Sequence, residues 1–295
     1  MNKDNHPAIL VTGANGQLGN EIKRIAASYP GFSFQFTGKQ ELPIDDFLAV
    51  KKYFSLHPLY ACINCAAYTA VDKAETEKEQ AFSINAIAAG KLAEICTQYN
   101  VLLIHISTDY VFNGFSVRPY METDETSPLN YYGASKLSGE RLVFEHNPRS
   151  VVIRSSWLYS AYGNNFVKTM IRLMKEKETI NVVNDQTGCP TNIADLARFI
   201  MEVIIQLPEA KCDPPFIFNY SNKGSATWYE FALAIKTITK SNCIINPIPS
   251  GQFHTSAKRP AYSVLDTSKI QKIFHTVIPD WKASLQKCLE EAIAS

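Results

Sequence analysis

The chain has 295 residues with 29 basic and 28 acidic side chains, a formal net charge of +1 that gives no bulk attraction to nucleic acid or a membrane surface. Its seven cysteines are an odd, scattered set rather than a disulfide framework, which fits a reducing compartment. The polar start predicts no signal peptide, no apolar run approaches the roughly 20 residues of a membrane helix, and the scattered histidines show no ligand spacing, so a soluble cytoplasmic protein without a metal site is expected.

Residues 8–12 are a short apolar run that stops at the turn Gly13-Ala14-Asn15-Gly16-Gln17-Leu18-Gly19, and 17–28 continue with helical spacing through Leu18, Ile22 and Ile25. The pattern then predicts a strand at 32–37, a helix at 45–56, a strand at 60–64, one long helix from about 74 to 99, and a strand at 101–107. A helix carrying Tyr132 follows, then a strand at 150–154. The second half reads as helices at 166–177, 193–207, 228–240 and 281–294, with loops at 247–251 and 258–260 and one strand, 216–219, returning to the main sheet.

Strands alternating with helices imply an α/β fold, a Rossmann-like doubly wound parallel sheet whose ligands sit at the carboxyl ends of the strands. Residues 1–155, with parts of 190–220, are expected to form the dinucleotide-binding domain, and 156–295 a smaller C-terminal α/β lobe for substrate. The glycine turn lies where a strand hands over to a helix, the place where backbone N–H groups cradle a pyrophosphate. Tyr132 and Lys136 stand one helical turn apart, so phenol and amine can face one site, and a nearby ammonium favours the phenolate. The end of the second strand reads Phe36-Thr37-Gly38-Lys39, without the carboxylate that selects NAD. Lys39 is there to neutralise a 2'-phosphate, so NADPH is the expected cofactor, with NADH possible. Pro43 offers an adenine neither carboxylate nor backbone N–H. Cys62 and Cys65 have the spacing of a redox or metal pair, but without a second pair they read as buried thiols.

Six stretches carry a closer resemblance: residues 9–13, 64–75 (Asn64-Cys65-Ala66-Ala67-Tyr68-Thr69-Ala70-Val71-Asp72-Lys73-Ala74-Glu75), 107–112 (Ser107-Thr108-Asp109-Tyr110-Val111-Phe112), 132–136, 154–159 and 185–191. The G-x-x-G-x-x-G spacing is similar to that of extended short-chain dehydrogenases/reductases, and the whole set resembles the dTDP-4-dehydrorhamnose reductase family. That resemblance implies reduction of the C4 ketone of a nucleotide sugar, in dTDP-L-rhamnose and cell-surface polysaccharide biosynthesis, by hydride transfer from NAD(P)H. It implies Tyr132 as proton donor, Lys136 as partner of the phenol and of the nicotinamide ribose, and Thr108 as a second hydrogen bond to the ketone oxygen. Gly13, Gly16, Gln17, Leu18, Gly19, Lys39, Ala66, Ala67 and Tyr68 would line the cofactor, and Asp109, Trp157 and Arg259 the substrate, Arg259 through its diphosphate. The loops at 185–191 and 258–260 are where base and sugar would be read. A homodimer is a further expectation. Related dehydratases follow the active-site threonine with Asp-Glu, whereas this chain has Thr108-Asp109-Tyr110, which argues against elimination. Another nucleotide-sugar reductase or epimerase, or a non-catalytic NADP-binding regulatory subunit like the methionine adenosyltransferase beta subunit, are the alternatives.

Overall fold

The computed structural model describes residues 6–294. Six parallel strands form its main sheet: β1 (Ala8–Thr12), β2 (Ser33–Thr37), β3 (Ala61–Asn64), β4 (Leu102–Thr108), β5 (Val151–Ser155) and, after four short or lobe strands, β10 (Phe216–Tyr220). Their spatial order is β10-β5-β4-β3-β1-β2, so the chain leaves β1 toward β2 and then reverses to the other side of β1 with β3. That reversal is a topological switch point, where the carboxyl ends of β1 and β3 open a crevice. The remaining strands are β6 (Leu158–Tyr159), β7 (Thr179–Val183), β8 (Thr187–Gly188), β9 (Thr191–Asn192), β11 (Ala226–Thr227) and β12 (Ile244–Ile248).

The central strands are near-continuous apolar runs because both faces of a parallel sheet are covered. One face packs Ile9, Val11, Ile104 and Ile153 against α1 (Gln17–Ile25) and α7 (Ile193–Gln206). The other packs Leu10, Cys62, Leu103 and Val152 against α2 (Phe47–Leu56) and the helical segment ending at residue 98. A separate core gathers Tyr159, Met170, Phe231, Ile235, Trp281 and Leu285. Its elements are α6 (Phe166–Glu176), α8 (Trp228–Thr239), α10 (Trp281–Ala294) and the β7–β12 pair. Among the described residues no helix is long and apolar enough to cross a membrane.

Two sequence expectations need correction, and one further helix carries no sequence signal. The single helix expected over 74–99 is broken into a 3₁₀ turn at Lys73–Glu75, α3 (Lys78–Phe82), a π-helical segment at Ser83–Ala88 and α4 (Ala89–Gln98). The widened turn brings Asn85 against α5 (Tyr131–His146), so close that a Cβ on Gly139 would stand 2.0 Å from the Asn85 carbonyl oxygen. The segment 247–251 begins as strand, since Pro247 and Ile248 complete β12 beside β7. Proline is tolerated there because a two-stranded sheet leaves one side of each strand unpaired. Finally, α9 (Ser268–Phe274) has only seven residues, with Ile270 and Phe274 on one buried face, too short for periodicity to reveal.

Gly139→Ala should therefore push α5 off the Asn85 carbonyl and destabilise the chain by roughly 1–3 kcal/mol, the usual range for overpacking. Equilibrium urea unfolding checks this. A midpoint equal to that of the parent would mean that the two helices separate at no cost.

Candidate active site

The glycine turn builds one wall of the crevice between β1 and β3. Gly13 has φ +62°, and a Cβ there would lie 2.6 Å from the Ala66 backbone nitrogen, so only glycine lets the two strand ends approach. Gly19 has the same function within the turn, since its Cβ would meet Ala14 Cα at 2.5 Å. A groove of about 550 Å³ runs from here past Gly16, Lys39, Ala66, Ala67 and Tyr68, ending near Pro43 and Asp45. The N-terminus of α1 opens at Gly16, placing free N–H groups on a site able to take a pyrophosphate. These features fit a dinucleotide.

Other expected cofactor residues also have partners within the chain. Leu18 is core. The Gln17 side chain accepts from Ser160 Oγ at 3.0 Å and Asn165 Nδ2 at 2.9 Å, tying α1 to the start of α6. Tyr68 donates from its phenol to Glu77 at 2.6 Å, and its backbone N–H and C=O are both held by the Asn85 side chain at 2.9 and 3.0 Å. The expectation of a carboxylate-free end to β2 is corrected: Glu41 folds back so that Oε2 accepts from the Gly38 N–H at 2.8 Å. A carboxylate four residues beyond the strand is outside the position that the sequence pattern inspects. Lys39 is exposed on the groove's rim. Cys62 is buried and Cys65 half-buried at the groove, and all seven thiols are free.

Tyr132 and Lys136 lie on the first two turns of α5. Asn130 caps this helix, Oδ1 accepting from Gly133 N at 2.8 Å, and Glu75 accepts from Tyr131 N at 2.7 Å. The helix is anchored by a buried ion pair: Glu140 receives Arg154 Nη2 at 2.7 Å and Nε at 3.0 Å, and the Ser107 hydroxyl at 2.5 Å. Thr108, the last residue of β4, faces the Tyr132 phenol closely enough to pull its pKa down. It also donates to Asp109 Oδ1 at 3.1 Å. Burial outweighs Thr108, so the phenol is pushed up to about 12. The lowering expected from Lys136 is absent because that side chain points elsewhere: Nζ donates to Ile106 O at 2.6 Å and stands 3.3 Å from His105 Nε2. Burial brings Lys136 down to about 8, against the pull of Glu140, and pushes the Asp109 carboxyl up to about 7.

The substrate side is assembled from both halves. Arg259 is bidentate to Asp72 at 2.6 and 3.1 Å, so the guanidinium expected to meet a diphosphate already holds a carboxylate. It still lines a cavity of about 640 Å³ with Lys258, Gln186, Phe166, Met170 and Trp228. Trp157, at φ +46°, stacks on Trp228 with ring centroids 3.4 Å apart, leaving one face covered. Gly188 packs against the same indole, where a Cβ would be 2.5 Å from Cε2. Sequence reasoning missed the local cap Asn130 on Gly133, and it missed Trp228, Asn85, Glu140 and His105 because each of these acts through a partner remote in the chain.

Crevice, phenol, hydroxyl and amine sit together at the carboxyl edge of the sheet, and comparison with known proteins identifies the lineage. The family model described as "RmlD substrate binding domain" matches residues 7–293. The chain belongs to the dTDP-4-dehydrorhamnose reductase family. It is 36% identical over 284 residues to the dTDP-4-dehydrorhamnose reductase of Aggregatibacter actinomycetemcomitans, covering 94% of this chain and 97% of that one. A crystal structure of the Bacillus anthracis dTDP-4-dehydrorhamnose reductase in complex with NADP superposes with TM-score 0.92 at 37% identity, covering 97% of this chain and 99% of that one. A Streptomyces niveus relative named dTDP-4-keto-6-deoxy-D-glucose reductase is 34% identical, with 94% of each chain covered.

Glu140→Gln would leave the Arg154 charge buried without its counter-ion and should cost roughly 3–5 kcal/mol. Chemical denaturation measures it. A loss under about 1 kcal/mol would show that Arg154 reaches water when its partner is neutral.

Proposed function

We propose that this protein reduces the C4 ketone of dTDP-4-dehydro-L-rhamnose with NADPH. The observation that carries the reading is the meeting of Tyr132 and Thr108 beside a glycine-walled crevice at the switch point of the sheet. NADPH, when bound, supplies the hydride for the ketone carbon. Tyr132, protonated across the physiological range, gives its phenolic proton to the ketone oxygen, so alkoxide charge never develops unassisted. Thr108, turning its one hydroxyl proton from Asp109, donates a second hydrogen bond to that oxygen and fixes it. Lys136, whose amine is turned to Ile106 O and His105, would hold the nicotinamide ribose and stabilise the phenolate left behind only in its charged form and swung toward the crevice. The Trp157–Trp228 stack, which meets the cavity through Trp228, offers a rigid wall for the sugar, and Lys258 and Arg259 offer charge to the diphosphate across the same cavity.

Oxidation of NADPH with a panel of dTDP-4-keto sugars tests the reading and includes the D-glucose-derived ketone named for the Streptomyces relative. Turnover only with that ketone would move the substrate assignment, and turnover with none would favour a regulatory subunit. Tyr132→Phe should keep NADPH affinity and lose most turnover, whereas Lys136→Met should damage both. Stopped-flow turnover and a fluorescence titration of NADPH report the two quantities separately, and parental turnover in Tyr132→Phe would remove the phenol from the mechanism.

The choice between cofactors rests on Lys39 and Glu41, a cation on the rim and a carboxylate on Gly38 N–H. Lys39→Ala should weaken NADPH relative to NADH roughly fivefold to thirtyfold, the size of one charge-assisted hydrogen bond. The dissociation constants are compared at low, fixed salt, because screening hides a surface contact. An unchanged ratio would give the discrimination to another group.

A further inference from the structure

A chain of hydrogen bonds runs under the site through a histidine that the mechanism above does not use. His105 lies in the middle of β4, fully buried, with Asn64 of β3 on one side of the ring and Lys136 of α5 on the other. Asn64 Oδ1 accepts from Thr12 Oγ1 at 2.8 Å and from the Ala66 N–H at 3.2 Å. A backbone N–H can only donate, so the amide orientation is fixed and Nδ2 is the group turned toward His105 Nδ1, at 3.2 Å. Nδ1 must then accept. A neutral imidazole whose Nδ1 accepts carries its proton on Nε2, and an imidazolium would set N–H against N–H at Asn64.

The Nε2–H so defined points at Lys136 Nζ, 3.3 Å away, while Nζ donates to Ile106 O at 2.6 Å. An ammonium has no lone pair, so it would face a donor with a donor; an uncharged amine closes the contact by accepting. We infer that His105 is a positioning residue, locked by Asn64 in the Nε2–H tautomer, which donates to Lys136 and favours its uncharged amine. Hydrogen bonding to the neutral form and burial act in the same direction on the lysine, and burial likewise keeps His105 neutral. The other charged group facing Lys136 is Glu140 on its own helix, occupied by Arg154 of β5 and Ser107 of β4, while the Tyr132 phenol one turn earlier meets Thr108. Asp109 stands beyond Thr108, toward the phenol.

The consequence for Lys136 rests on the proposed reductase reading; the tautomer does not. Where catalysis needs the charged lysine, turnover falls as pH rises through its pKa, and His105 sets that alkaline limb lower than an ordinary lysine would. In His105→Gln an amide replaces the ring and can turn its carbonyl oxygen to the ammonium, which moves the limb upward.

Two measurements test this. Nitrogen-15 NMR of histidine-labelled protein, in a variant whose other histidines (His6, His57, His146, His254 and His275) are replaced by glutamine, should show Nδ1 unprotonated and Nε2 protonated from pH 6 to 9. An Nδ1–H tautomer or an imidazolium in that range would overturn the inference, as read in a chain that keeps the His105 network intact. In the pH profile of kcat for ketone reduction, His105→Gln should shift the alkaline limb up by about one unit while retaining kcat within severalfold below pH 7. An unmoved limb would overturn the link to Lys136. Absence of any reductase turnover in the parent would fall on the reductase reading and leave the NMR result to decide the tautomer.

Discussion

The buried carboxylate of Glu140 is the interaction on which the site's geometry depends. It stands two helical turns after Tyr132 and one after Lys136, so all three project from one face of α5 toward the sheet. Its oxygens take Arg154 from β5 and Ser107 from β4, fixing the helix in both translation and rotation against the two strands that end beside the site. An apolar contact would hold the helix as tightly but would allow sliding. A forked guanidinium on a carboxylate fixes direction as well as distance. Burial makes the pair costly to form and costly to break, which supports specificity of placement more than net stability.

A second set of polar ties joins the two halves of the chain across the cleft. Asp72 holds Arg259, and the Asn130 that caps α5 also donates to Lys258 O at 2.9 Å. Gln17, at the start of the first helix, takes Ser160 and Asn165. The stretch Val71-Asp72-Lys73-Ala74-Glu75, part of the resemblance to the family, thereby has a physical reading. Its Glu75 secures the first turn of the helix bearing Tyr132, and its Asp72 pairs with the loop that lines the second cavity. The Arg259 guanidinium draws the Asp72 carboxyl below its ordinary range, so this tie is retained at neutral pH and is lost only as acid protonates the carboxylate.

Much of this was legible from residues alone. Five strands and the glycine turn announce themselves because buried parallel strands are short apolar runs, and a glycine turn between strand and helix has few other uses. The return of the strand at Phe216–Tyr220 to the main sheet was readable for the same reason. What stayed hidden was set by contacts between distant elements. The π-helical break at Ser83–Ala88 answers to Asn85, which bonds Tyr68 on one side and Ser135 on the other. The Glu41 carboxylate reaches the end of β2 by a turn that no fingerprint spacing describes. Likewise the state of Lys136 cannot be read from Tyr132-Gly133-Ala134-Ser135-Lys136: spacing places amine and phenol on one face, whereas the direction of the amine depends on Ile106 O and His105.

The carboxyl edge of the sheet therefore has an unusual electrostatic character. Burial raises Asp109 to about 7 and Tyr132 to about 12, lowers Lys136 to about 8, and keeps His105 neutral. Each shift favours the uncharged form, as desolvation requires. The buried charges on this floor, Glu140 and Arg154, cancel each other. Charge that a ligand brings into such a place is weakly screened and acts most strongly on Asp109 and Lys136, whose values lie near neutrality. An anionic diphosphate or a developing alkoxide would favour the ammonium of Lys136, whereas an oxidised pyridinium would favour the phenolate of Tyr132. Proton counts at Lys136 and Tyr132 can thus differ before and after hydride transfer with α5 held in place by Glu140, while His105 stays neutral.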